Sequence, residues 1–288
     1  MMNKFRAYMR LFRIEHAVLL GIAVLLSMLI STSAAGISLP ALPLLLISLA
    51  VPFLIEMGSF ALNDYMDEKT DRENKREDRP LVSGELEATE ALAAAAICYI
   101  GGVFIAVGLP FEAFAIAAVF AILSVFYNWK LKDMPLLGNI YIGASMAIPF
   151  FFGNIIATGS LYAPVVLIAA VAFVSGFGRE IIKATEDVEG DVKHRKSKTL
   201  PAIIGKKNAC YFAAFLYLLL VPLSFLPFAY GLRANILALG LVGVTSVAFA
   251  AMAFSAARNQ EKENLRSLRK ASLLALAVGL LGYAASLI

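Results

Sequence analysis

Residues 42–71 read LPLLLISLAVPFLIEMGSFALNDYMDEKTD, and two patterns in this stretch decide how the rest of the chain is read. Its first part, Leu42–Met66, is apolar but for a few residues and long enough to cross a bilayer, which takes about 20 residues of helix. Its last part gathers Asn63, Asp64, Asp67 and Asp71. At about 100° per residue, Asn63, Asp67 and Asp71 fall on one helical stripe, and Asp64 borders it. A membrane helix ending in a stripe of carboxylates predicts an intramembrane site at the water boundary.

Composition agrees with the first pattern. The chain has 288 residues, of which 60% are hydrophobic and 16% charged, against about 25% charged in soluble domains. These values exclude a disordered chain and an ordinary soluble domain. The net charge of +4 is small, and Lys and Arg lie between apolar runs, so nucleic-acid binding is not expected. Cys98 and Cys210 fall in or near apolar runs without metal-ligand spacing and read as small apolar fillers. The two histidines, His16 and His194, do not suggest a histidine metal site.

Nine apolar runs qualify as spans: Leu11–Ser33, Leu42–Met66, Thr89–Gly108, Phe111–Lys130, Leu137–Thr158, Tyr162–Thr185, Ala209–Pro227, Ala234–Ala257 and Lys270–Ile288. The first begins with Arg13, Glu15 and His16 and is long, so it is expected to be a retained helix rather than a cleaved signal. With alternating faces, every Lys and Arg except Arg233 falls on one side. The positive-inside rule makes that side cytoplasmic, together with the N-terminus, and places the C-terminus outside the cell membrane. Glu112 is the sole acidic residue on the far side. The predicted fold is therefore an all-α polytopic membrane protein with nine helices around a central cavity, forming a single domain over residues 1–288.

The second span has a counterpart four spans later. The sixth ends in Glu186-Asp187-Val188-Glu189-Gly190-Asp191, where Asp187 and Asp191 again stand at i and i+4. In both places a basic stretch follows, then Pro80 or Pro201, then Gly84 or Gly205. Copies separated by an even number of spans share an orientation, so a parallel duplication of four-helix units is expected, bringing both acidic ends to one mouth. The loops at about 68–87 and 186–207 would cap it.

Facing carboxylates without Cys or His suit a hard cation, Mg²⁺ or also Mn²⁺. Such ions leave positions open for a phosphate, and the nearby Arg and Lys can hold its other oxygens. A diphosphate clamped at a membrane mouth implies a lipid tail lying in the bilayer, and ionising a prenyl diphosphate requires the stabilisation of the departing diphosphate that metals and cations give. Two other readings stand beside this one. The charges are solvated loop residues, which two clusters in register make less economical. Or they line an ion path, as in a cation-coupled carrier; carboxylates gathered at the mouth favour the enzyme.

At these residues the sequence resembles the UbiA superfamily of intramembrane prenyltransferases. NDYMDEKTD matches its first motif, N-D-x-x-D-x-x-x-D, EDVEGD resembles its second, and Tyr127 through Lys132 with Gly138-Asn139 resembles the segment between spans four and five. The resemblance implies that Asn63, Asp67, Asp187 and Asp191 hold Mg²⁺, with Asp64 and Asp71 supporting the site. It implies that Arg13, Arg72, Arg79, Tyr127 and Lys132 contact the diphosphate. Where the family has Pro after the first-helix arginine, this chain has Ile14. GREIIKATEDVEGD followed by KTLP most resembles the archaeal digeranylgeranylglyceryl phosphate synthases, which implies a lipid acceptor. There Ala184 replaces a common Asp. Arg13 through His16 resembles instead the members that prenylate aromatic acceptors of the hydroxybenzoate type.

Among single residues, Glu56 lies two turns before Asn63, about 10 Å deeper. It is expected to be hydrogen-bonded to a neighbouring helix or to orient an acceptor. Pro52, Pro149 and Phe150–Phe152 are expected to shape the cavity.

Overall fold

A computed structural model describes residues 2–73, 75–190 and 199–288 of the chain, with side chains described for residues 4–73, 75–188 and 199–288. Among the described residues the regular secondary structure is helical, and nine helices are long and apolar enough to cross a membrane. In chain order the helices are α1 (Met2–Phe12), α2 (Ile14–Ala35), α3 (Leu42–Glu73), α4 (Ala88–Ala106), α5 (Phe111–Trp129), α6 (Leu137–Thr158), α7 (Ala163–Gly190), α8 (Leu200–Ile204), α9 (Lys206–Leu223), α10 (Leu226–Ala229), α11 (Ile236–Arg258) and α12 (Lys262–Ala285). A 3-10 turn, Leu131–Asp133, links α5 to α6.

The neighbours repeat. α2 packs on α3, α3 on α4 and α4 on α5; in the second half α6 packs on α7, α7 on α9 and α9 on α11. The halves meet chiefly where α2 lies along α6, and α12 closes the second half against α11 and α7. The α2–α6 seam is polar at its centre. Ser27 Oγ donates to the Phe150 carbonyl at 2.5 Å, and Ser31 and Asn154 hydrogen-bond at 3.0 Å. Close approach there requires Gly153, since a Cβ on it would stand 2.5 Å from the Val24 carbonyl oxygen and 3.0 Å from Ser27 Cβ. Small residues let membrane helices approach to backbone distance. Gly153→Val should therefore destabilise the protein by about 1–3 kcal/mol, the range for overpacking. A melting temperature in detergent equal to that of the wild type would show that the seam can open without cost.

Three boundaries differ from those read in the sequence. The first span begins at Ile14, not Leu11, because Arg13 breaks the helix with φ 44 and ψ 57. Such left-handed backbone costs a non-glycine residue about 1–2 kcal/mol, and the contacts described below hold it. α1 before the break is a separate amphipathic helix. Its Ala7 and Leu11 are buried with Ala61, Leu81 and Leu86, while Lys4, Arg6 and Arg10 stay exposed. Arg10 pairs with Glu85 and holds that carboxyl below its usual range, and Lys4 bonds Glu90 at 2.7 Å. Second, α3 continues to Glu73, so the whole acidic motif is helical beyond the apolar run. Third, the last span starts at Lys262, two turns before Lys270. Its first turns carry charge because Arg266 and Arg269 bond Glu186 of α7, at 3.1 and 3.2 Å.

Cys98 and Cys210 are free and buried, as apolar fillers should be.

Candidate active site

The charged end of α3 carries the site. Asp64, Asp67 and Asp71 are all buried although they occupy the last three turns of a helix. Buried carboxylates need partners, since the effective penalty for an unpaired buried ion is several kcal/mol. The partners come from three segments. Arg13, at the break between α1 and α2, places Nη2 2.7 Å from Asp64 Oδ1. Arg79, from the loop after α3, bonds the same oxygen and lies 3.7 Å from Asp71 Oδ2. Lys132, from the 3-10 turn, donates to Asp67 Oδ1 at 2.6 Å. Arg76 stands 3.9 Å from Asp71. Burial lowers the Arg13 guanidinium below its ordinary value, against the pull of Asp64. Arg13 also covers the Phe60 ring, 4.3 Å from its centroid, and the His16 ring stands 5.3 Å from the same ring.

Asn63 is oriented from two sides. Its Nδ2 donates to Asp67 Oδ2 at 3.1 Å and to Asn128 Oδ1 at 3.0 Å, which leaves its carbonyl oxygen as an acceptor. Asn128, on α5, is fixed in turn by its own bond to the Ser124 carbonyl at 3.0 Å. Sequence reading passed over Asn128. An amide in the apolar run before Trp129 was the available signal, because buried polar groups in membrane helices need partners.

The structure thus brings Arg13, Asn63, Asp64, Asp67, Asp71, Arg79 and Lys132 together. Arg72 is turned away: it bonds Glu68 at 2.9 Å and the Leu81 carbonyl at 2.9 Å, and so fastens the cap loop to α3. Tyr127 stacks on Tyr141 with centroids 4.5 Å apart. Asp187 is half-buried near the end of α7, within electrostatic reach of Glu186, Lys183, Arg269 and Lys262. Asp191 lies outside the described residues, as does most of the second basic stretch. An offset of 120 relates Asp67 to Asp187, and the same offset relates Asp64 to Ala184. The second copy therefore lacks the carboxylate that, in the first, holds two arginines.

Below the charged cluster, α3 walls a partly open cavity. Its lining is mostly apolar and includes Pro52, Pro149 and Phe152, as the sequence suggested; Phe150 is buried instead in the core between α2, α6 and α7. Glu56, Ser59, Ser124 and Tyr141 also line it. Tyr99 Oη and Ser124 Oγ are 2.6 Å apart, and Ser124 donates to Ser59 at 2.8 Å. The hydrogen bond expected of Glu56 to a neighbouring helix is not seen among the described residues.

Do these residues suit a divalent ion? Their donors are all oxygens, the set that favours Mg²⁺ over softer metals. Asp64 Oδ2 is buried without a hydrogen-bond partner, and the Asn63 carbonyl oxygen is oriented and available. Among the described residues, no three acidic, histidine or cysteine side chains are grouped tightly enough to hold a metal alone. The chemistry fits an ion whose coordination is completed by a bound ligand.

Comparison with known proteins bears on the whole chain. The model of the UbiA prenyltransferase family matches residues 22–284. A digeranylgeranylglyceryl phosphate synthase of Archaeoglobus fulgidus is 34% identical over 284 residues, covering 96% of this chain and 94% of the relative. That of Thermococcus kodakarensis is 34% identical over 260 residues, covering 90% of each. A solved structure described as giving structural and mechanistic insight into digeranylgeranylglyceryl phosphate synthase in membranes superposes with a TM-score of 0.80, at 29% identity and 99% coverage of both chains. A UbiA homologue of Archaeoglobus fulgidus bound to DMAPP and Mg²⁺ shares the fold, with a TM-score of 0.64 at 19% identity, covering 96% of this chain and 99% of that one. Matched along nearly its full length in sequence and in structure, this chain belongs to the UbiA prenyltransferase family.

Proposed function

We propose that this protein transfers a geranylgeranyl group from its allylic diphosphate to the free hydroxyl of a glyceryl phosphate lipid, with Mg²⁺. One observation carries the reading most directly. A single helix, α3, bears Asn63 and Asp67 among three cations at its charged end, and one to two turns deeper it walls an apolar cavity. A diphosphate with an isoprenoid tail has that division of chemistry. The names of the relatives supply the acceptor.

In this reading Asn63, Asp67, Asp187 and Asp191 hold the ion, and Asp64 and Asp71 support them. Bound Mg²⁺ supplies a Lewis acid for the charge that develops on the leaving diphosphate. Arg13, Arg79 and Lys132 hold the remaining phosphate oxygens, with Lys132 shared between Asp67 and the substrate. Tyr127 and Arg72 act at one remove, through Tyr141 packing and the cap loop. The C1–O bond of the prenyl diphosphate breaks with its electron pair going to the diphosphate. The acceptor oxygen then bonds C1 and loses its proton. The apolar cavity keeps water from the electron-poor carbon, which it would otherwise quench.

The deciding experiment incubates purified protein with Mg²⁺, labelled geranylgeranyl diphosphate and separate acceptors. The digeranylgeranyl ether of glyceryl phosphate is the expected product. Prenylated hydroxybenzoate in its place would move the protein to the aromatic-acceptor branch, and failure to release diphosphate with any acceptor would favour the carrier.

In the same reading the mouth and the N-terminus are cytoplasmic, which the one-sided distribution of Lys and Arg supports. In a variant with Cys98 and Cys210 replaced by Ala, Lys75→Cys should react with an impermeant thiol reagent from the cytoplasmic side only. The same is expected of Lys196→Cys. Labelling from outside would overturn the proposed topology.

A further inference from the structure

One buried cation is not used by the mechanism above. Arg179 lies on α7, two turns deeper than Asp187, about 12 Å along the helix. Its side chain is half-buried, and its Nε is shielded without a hydrogen-bond partner. Among the described residues it forms no ion pair. Its sequence neighbour Glu180 is engaged by Lys183 at 2.9 Å. By contrast Arg13, Arg79, Lys132, Arg266 and Arg269 each meet a carboxylate.

Two more polar groups lie beside it. Ser175 stands one turn away on the same stripe, at i−4, fully buried with no partner for its hydroxyl. The Tyr217 hydroxyl, on α9, is fully buried, interacts with Ser272 and lies within electrostatic reach of Arg179. Arg13 and Arg179 both lie within electrostatic reach of His16, so Arg179 stands near the start of α2. An internal water can satisfy a hydroxyl. It cannot neutralise a guanidinium, whose burial without a counter-ion costs several kcal/mol.

We propose that Arg179, aided by Ser175, binds the anionic head group of the acceptor, and that it thereby selects acceptors carrying one. This rests on the function proposed above, in which the anion is a phosphomonoester. Arg13, Arg79 and Lys132 take the diphosphate at the end of α3; Arg179 serves a second anion across the site on α7. A guanidinium fork with a flanking hydroxyl donor matches the several acceptor oxygens of a phosphomonoester, and also those of a carboxylate.

The test compares two acceptors, geranylgeranylglyceryl phosphate and its dephosphorylated alcohol, with wild type, Arg179→Gln and Arg179→Lys. Losing one charge-assisted bond should raise the KM for the phosphate acceptor about tenfold or more in Arg179→Gln. The KM for the prenyl diphosphate should stay within about twofold, and the Lys variant should fall between. With the alcohol, wild type and variants should agree within about twofold. An unchanged phosphate-acceptor KM overturns the proposal, as does an equal loss with both acceptors. Should the Gln variant fail to fold, the Lys variant decides by the same comparison. If wild type does not use the phosphate lipid at all, the functional reading fails instead. The same KM comparison between hydroxybenzoate and unsubstituted phenol then tests Arg179 independently.

Discussion

Asp67→Ala and Asp187→Ala are each expected to lower turnover by on the order of 10²–10³-fold while the protein still folds. Interactions aimed at charge that develops in the transition state have effects of that size. Asp67 hydrogen-bonds Lys132 at 2.6 Å and Asn63 at 3.1 Å, so its removal takes away polar contacts rather than core packing. Asp67→Asn keeps the shape and removes the charge. It should fail similarly and need more Mg²⁺ for what activity remains. The measurement is the initial rate of diphosphate release across a Mg²⁺ titration. Well-folded variants running at the wild-type rate would sink the assignment of the paired motifs as metal ligands.

Asp64→Ala should act chiefly on stability. Asp64 is 1% exposed and holds Arg13 and Arg79 through one oxygen. Breaking a buried pair leaves uncompensated charge and costs about 3–5 kcal/mol. It also removes a restraint on the left-handed backbone at Arg13. The melting temperature in detergent should drop by several degrees, and Asp64→Leu combined with Arg79→Met should recover part of the loss. Arg72→Ala is the control, because its pair with Glu68 is exposed and worth under about 1 kcal/mol. Equal effects at Asp64 and Arg72 would mean that water reaches Asp64.

The spans were legible because apolar runs in lipid have few alternatives to helix. Asn63, Asp67 and Asp71 were legible because one stripe of one helix holds them. The break at Arg13 was not, because nothing local favours left-handed backbone at an arginine before isoleucine; its partners Asp64 and Phe60 lie about 50 residues away in sequence. The start of α12 was hidden for a related reason: Arg266 and Arg269 look like loop residues until Glu186 is seen opposite them. Arg72 read as a substrate contact by motif, and only the fold shows it bound to the Leu81 carbonyl.

The seam between α2 and α6 also sets a schedule for biosynthesis. Ser27 and Ser31 find their partners, Phe150 and Asn154, 123 residues later in the chain. At about 5–20 residues per second, the ribosome needs roughly 6–25 s to deliver them. During that interval α2 is already in the bilayer with its hydroxyls facing lipid or a chaperone. Ser31 can wait, because it also donates to its own helix, to the Ser27 carbonyl at 2.8 Å. No such intrahelical bond is seen for Ser27, so the newborn first half is most exposed to misassembly at that hydroxyl until α6 emerges.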